Sequence, residues 1–259
     1  MNKHLFPFGN PVNILKQTDC SPKDIFVLGV YASAVHAKWL DPQGNRVVEA
    51  LAVASEPYIF WRGEDAVKFI PKIPNALGSL IPANSGLNGP SGIALDEKIL
   101  APLGYKRQDC WLCDLVPHSC VNTRQRDAIR RAYNPRLKEF GLPEHSVPDV
   151  PKRLTDEVRR EEIYAELVQS KATKLVLLGD MPIKWFVHFF DKRWTQLSDF
   201  IDKDGNGYGN PVESKIRDVV VKLIPLAHPR QVARLGASSE EWSKRHDAWL
   251  ESNRSQGAS

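Results

Sequence analysis

The chain has 259 residues, 42% of them apolar and 25% charged, with a net charge of +4, a composition that excludes a disordered or fibrous protein. No apolar run approaches the roughly 20 residues of a membrane-spanning helix, and prolines and a glycine interrupt "MNKHLFPFGNPV" where a secretory signal needs continuous apolar sequence. The expectation is one domain over residues 1–250, in the cytoplasm and away from membranes, with 251–259 as a flexible tail.

The first predicted element is the apolar strand at the head of "FVLGVYASAVHAKW" (26–39), which stops at a glycine and delivers Tyr31, Ser33 and His36 into one tight loop. From about 41 to 100 the chain reads as long and irregular, rich in Pro, Gly and Asn. Within it "SEPYIFWRG" (55–63) gathers Tyr58, Phe60 and Trp61 beside Glu56, and "NSGLNGPSG" (84–92) is turn-rich. Aromatics argue against disorder there, so the stretch is expected to be functional.

"CWLCDLV" (110–116) reads as a second buried strand. Its C-x-x-C pair invites a metal or cluster, but residues three apart on a strand point to opposite faces, so structural thiols are preferred and no metal is expected. Next, Arg124, Arg126, Arg130, Arg131, Arg136 and Lys138 face a single acid, Asp127. Such a stretch could neutralise phosphates or be a solvated helix face.

The segment "TDEVRREEIYAELVQS" (155–170) predicts a helix capped by Thr155, with Val158, Ile163, Leu167 and Val168 on one face. "KLVLLGD" (174–180) and "RDVVVKLIPLAHP" (217–229) are the third and fourth strands, apolar with little alternation, as in a parallel sheet covered on both faces. Between them "DKDGNGYGNPVE" (202–213) fits a calcium-loop pattern through Asp202, Asp204, Asn206 and Glu213. Gly209 in the eighth position, Pro211 at the exit and the lack of a second loop favour instead a surface loop leading into a hairpin with "VESKIRDVVVKLIPL". A final helix is expected near Ser238, with Glu241 completing a capping box. The fold class is therefore α/β, a three-layer α/β/α sandwich around a four-stranded parallel sheet, with ligands bound at the carboxyl ends of the strands.

Those four ends, "GVYASAVH", "CDLVPHSC", "LGDM" and "PLAHPRQ", together resemble the uracil-DNA glycosylase superfamily. "GVYAS" (29–33) matches the family's first motif in position and leading glycine, and "AHPRQ" (227–231) matches the last motif in His228 and Pro229. In "YASAVHAKW", "EPYIFW" and "PLAHPRQ" the chain is most similar to divergent bacterial members. The resemblance implies a DNA glycosylase that flips a base out of the stack, stacks it on an aromatic and lets it leave as an anion, without a cofactor. It assigns His228 to stabilising that anion and Phe60 to stacking, with Trp61 and Tyr58 as alternates. Leu235, with Val232 second, becomes the side chain wedged into DNA, and Arg230 or Arg234 the phosphate contact, beside Arg124 and Arg126 of the basic stretch.

Departures from the family pattern concern catalysis and substrate. Tyr31 stands where members orient the attacking water with a carboxylate or asparagine, leaving His36 as candidate base, with Glu56 and Asp114 as rivals. The small Ser33 replaces a tyrosine that blocks a C5 substituent. Asp114 replaces a base-reading asparagine, and an ionised aspartate suits the N4 amine of cytosine rather than the O4 of uracil. The expected substrate is a C5-modified cytosine in duplex or single-stranded DNA, bound by a monomer, with defence against bacteriophage as a role. A non-catalytic module for flipped or damaged bases and a uracil-excising enzyme are the alternatives, and the basic stretch argues against a hydrolase of free nucleosides.

Overall fold

The computed structural model describes residues 4–235 and 239–256. Its contacts gather into two compact units, neither continuous in sequence. One holds the N-terminal segment through Leu15, Tyr31–Pro90 and Pro117–Lys152; the other holds Lys16–Val30, Ser91–Val116 and the chain from Arg153 onward.

The second unit is built on a five-stranded sheet in the order β5-β1-β6-β8-β7, formed by β1 (Ile25–Tyr31), β5 (Cys110–Val116), β6 (Lys174–Leu178), β7 (Val212–Ile216) and β8 (Val219–Leu226). β1 pairs parallel to β6 and β6 to β8, while β7 and β8 form an antiparallel hairpin through Arg217 and Asp218. The four expected strands are present, and the hairpin adds a fifth. Helices flank this mostly parallel sheet in a three-layer α/β/α arrangement. Burial follows the layers: Ile25–Leu28 and Leu175–Leu178 are wholly buried, as two covered faces require. β8 alternates at first, with Val220 and Lys222 exposed, and becomes continuously buried from Leu223.

The helices of this unit are α1 (Pro90–Leu95), α4 (Glu157–Ser170), α5 (Asp180–Pro182), α6 (His188–Phe190), α7 (Pro229–Val232) and α8 (Glu240–Gln256). α4 departs from its predicted face and cap. Asp156, not Thr155, accepts the Arg159 amide, and the Thr155 hydroxyl donates to the Trp185 carbonyl. Ile163 and Leu167 are buried, but Val158 and Val168 are 67% and 47% exposed. Arg159 takes the inner position instead, donating to the Asp114 and Leu115 carbonyls of β5. Helix α8 continues through 251–256, beyond the expected start of the tail. Ser238 lies outside the described residues, and the Trp242 amide meets Ser239 Oγ at 3.4 Å.

The first unit corrects the expectation of an irregular stretch. β2 (Ala34–Leu40), β3 (Arg46–Ser55) and β4 (Ser79–Pro82) form an antiparallel sheet in the order β3-β2-β4, joined to α2 (Thr123–Ala128) and α3 (Leu137–Phe140). Trp39 is its anchor: fully buried, its indole N–H donates to the Leu77 carbonyl at 2.7 Å and Phe8 packs edge-on against it. Two loops then meet backbone to backbone. A Cβ on Gly63 would lie 2.3 Å from the Asn88 carbonyl oxygen, and one on Gly89 would lie 1.9 Å from the Arg62 carbonyl carbon. Both glycines have positive φ, so the contact needs them twice over.

Gly89→Ala should therefore cost about 2–4 kcal/mol, from left-handed strain and loop separation. Denaturant unfolding checks this, and a loss below about 0.5 kcal/mol would mean the loops part without consequence.

Candidate functional site

The parallel sheet stops its third strand at Gly179, whose φ of 86° lets the backbone turn sharply. The Gly179 amide donates to the Leu226 carbonyl at 2.7 Å, and a Cβ there would touch the Cβ of His228 at 3.4 Å. His228 follows β8 and caps the one-turn helix α7. Its Nδ1 accepts the Arg230 amide at 3.2 Å, which makes Nε2 the nitrogen that carries the proton. The ring is half-buried; desolvation, helped by the Arg230 cation, lowers its pKa to about 4. At neutral pH His228 is an uncharged imidazole with a proton to donate from Nε2.

What holds this strand end is a chain of hydrogen bonds that begins one residue earlier. The Ala227 amide donates to the Tyr208 hydroxyl at 2.8 Å, and Tyr208 lies 2.8 Å from His246 Nδ1. His246 Nε2 in turn lies 2.9 Å from the Lys98 carbonyl. That carbonyl can only accept, so Nε2 carries the proton, Nδ1 accepts, and Tyr208 donates to it. His246 is fully buried, and desolvation lowers its pKa to about 4, so it stays neutral. Tyr208 comes from the calcium-like segment. There Asp202 turns its carboxylate onto its own loop, accepting the Asp204 and Asn206 amides, and Glu213 stands in β7. Among the described residues no group of three or more His, Cys, Asp or Glu side chains is placed to hold a metal ion.

Asp114 lies in β5, every residue of which is buried. Trp111 donates to Glu166 of α4 at 3.0 Å, and Cys113 Sγ accepts from Arg159 at 3.3 Å. Alternation then turns Asp114 to the opposite face. Desolvation raises its carboxyl pKa to about 7 against the pull of Arg159, with Glu166 adding to the rise. Burial likewise pushes Cys110 up to about 12 and Cys113 upward. β1 and β6 separate β5 from β8, so Asp114 and His228 stand three strand steps apart, roughly 14 Å at ordinary spacing.

The remaining base-site candidates belong to the antiparallel unit. Tyr31 ends β1, half-buried. Ser33 is exposed, but its amide donates to Glu56 Oε1 at 2.9 Å and its carbonyl accepts the Ser119 hydroxyl. Glu56 is buried and holds this turn. His36 is not in the loop: it belongs to β2, beside a register shift between Val35 and His36. Asn88, buried and unmarked in the sequence reading, accepts the His36 amide at 2.8 Å and donates to its carbonyl at 3.0 Å. Its side chain replaces a strand neighbour where the ladder slips. Phe60 is 8% exposed with φ 54°, Trp61 is buried, and Tyr58 is 38% exposed and donates to Glu64.

Of the DNA-contact candidates, Arg230 is exposed, whereas Arg234 is tied to Asp247 at 2.7 Å and Arg126 to Asp149 at 2.6 Å. Leu235 is half-buried, and Val232 is 5% exposed, which removes it as a wedge. A residue the sequence reading passed over is Gln231, three beyond His228, whose Oε1 is buried without a hydrogen-bond partner among the described residues. Only the folded turn reveals that acceptor.

Tyr208→Phe should strand the Ala227 amide and His246 Nδ1 together and cost about 1–3 kcal/mol. Urea unfolding of the variant checks it; unchanged stability would show that the chain of bonds does not hold the strand end. No protein-family model matches the chain, and no curated protein matches it.

Proposed function

We propose that the chain is a DNA glycosylase of the uracil-DNA glycosylase type, acting on a flipped pyrimidine and leaving an abasic site. The observation that carries this reading is His228, a neutral imidazole fixed at the end of a buried parallel strand with its proton on Nε2. In hydrolysis, water adds to C1′ as the bond from C1′ to the base breaks, and the electron pair of that bond passes to the base, largely onto O2. A neutral N–H donor stabilises that oxygen without having lost its proton to solvent beforehand. The leaving base then takes up a proton, and the sugar keeps the hydroxyl.

Asp114 sets the base preference. Its carboxyl titrates near 7, and the two forms read different edges. The ionised form only accepts and suits the N4 amine of cytosine; the neutral acid donates and accepts, and suits O4 and N3–H of uracil or thymine. Above pH 7 the enzyme therefore favours cytosine. Ser33, in the position of a C5-blocking tyrosine by resemblance, extends this to cytosines enlarged at C5, which occur in bacteriophage DNA and make cytoplasmic defence the fitting role. Tyr31, in the position of a water-orienting carboxylate, favours the second reading, a module that binds flipped bases without excising them.

The test is alkali-induced cleavage of labelled oligonucleotides carrying uracil, thymine opposite guanine, 5-hydroxymethylcytosine or its glucosylated form, at pH 6 and pH 8.5. Excision of modified cytosine should rise with pH through about 7. His228→Ala should slow it about 100-fold or more, and Asp114→Asn should abolish the pH response and shift activity to uracil. Abasic product from uracil alone at both pH values would overturn the cytosine assignment; no product from any base, with DNA still bound, would establish the binding module.

A further inference from the structure

The basic stretch divides into two sets of arginines. Arg126 is neutralised by Asp149 at 2.6 Å and Arg130 by Asp127 at 3.0 Å. Arg124 and Arg131 make no ion pair among the described residues, and both line a recess of about 700 Å³ in the antiparallel unit. Seven residues apart along α2 and the wide helical turn after it, they share one face and stand roughly 10 Å apart at 1.5 Å per residue. Across from them the recess is closed by the β2–β3 hairpin, which contributes Arg46, and Arg136 completes it.

Arg136 is held in place: Nη1 donates to the Ala132 carbonyl at 2.6 Å and the guanidinium lies 5.0 Å from the centre of the Trp39 ring. The two acids at the rim are already engaged. Asp41 accepts the Gln43 and Asn45 amides of its own turn at 3.0 and 2.7 Å, and Asp127 holds Arg130. Four guanidinium groups thus border one concavity: Arg46 is paired with Glu49 at 3.3 Å, and Arg124, Arg131 and Arg136 make no ion pair among the described residues.

We propose that this recess seats phosphate groups of a nucleic-acid backbone. Arginine forks suit phosphate oxygens. A separation of roughly 10 Å exceeds the width of one phosphate group, so Arg124 and Arg131 meet different phosphates of one strand. The remaining lining is aliphatic, with Val47, Val48 and Ala128, and offers nothing to read a base, so the contact is independent of sequence. The inference rests on the nucleic-acid reading of the chain but not on catalysis.

Fluorescence anisotropy with an unmodified, labelled 20-nucleotide DNA, single-stranded and duplex, between 50 and 300 mM KCl tests it. The Arg124→Gln/Arg131→Gln double variant should bind at least about 10-fold more weakly at 100 mM salt, and its slope of log K against log salt should shrink by about 1.4 to 1.8. Arg126→Gln, already paired in the fold, should leave the slope in place. Thermal unfolding of each variant confirms that it is folded. An unchanged slope in the double variant overturns the proposal. So does saturable binding of sodium triphosphate that is tighter than that of DNA and lost in the double variant, since the recess then belongs to a small polyphosphate. Base excision by a double variant with unchanged slope would sink the recess and keep the glycosylase; a reduced slope without excision by the wild type would do the reverse.

Discussion

A sheet covered on both faces leaves little room for polar side chains along its strands, and its backbone bonds end where the strands end. The chemistry of this protein is concentrated by that constraint. At the end of β8 the Ala227 amide finds Tyr208, Tyr208 finds His246, and His246 finds the Lys98 carbonyl. At the end of β5 the Asp114 and Leu115 carbonyls find Arg159. Each strand end is closed by a buried side chain from a distant part of the sequence, and what remains there is held in one orientation. His228 inherits its position from the first closure and Asp114 from the second.

Much of this was visible in the residues alone. Four apolar runs marked four strands because two-sided burial leaves little alternation, and "VESKIRDVVVKLIPL" announced its hairpin. The antiparallel sheet was hidden because turns rich in Pro, Gly and Asn surround its strands, and β3 passes from exposed at Arg46 to buried at Ser55 rather than alternating. α4 was placed correctly, with Ile163 and Leu167 inside as expected but Val158 and Val168 outside. Apolar spacing cannot indicate that an arginine belongs inside, and Arg159 does so only because β5 offers it carbonyls. Within the candidate site, His228 was marked by its place after a strand, whereas Asn88 depends on a pairing with His36 across 52 positions, beyond any local pattern.

The segment 202–213 shows how one composition serves two ends. Aspartate, asparagine and glycine at close spacing can surround an ion, or can satisfy one another through a tight turn. Here Asp202 takes the amides that follow it, and the glycines at 205, 207 and 209 adopt positive φ. The product of that turn is the placement of Tyr208 inside the fold, where it links the Ala227 amide to His246; its aromatic ring packs edge-on to the His246 ring at 5.9 Å.

β1 is the early strand of the sequence and an inner strand of the sheet. Its partner β6 joins it at Ile25 and Lys174, with two long excursions of chain in between that belong to the other unit. On a ribosome, β1 emerges long before either neighbour, β5 or β6, and the three antiparallel strands are made before both. Contacts so distant in sequence make closure of the parallel sheet slow compared with local folding. The run of Ile, Phe, Val and Leu in β1 is thus made well before its β6 partner, and the antiparallel unit, complete by Lys152, has every part of its sequence before α4 begins.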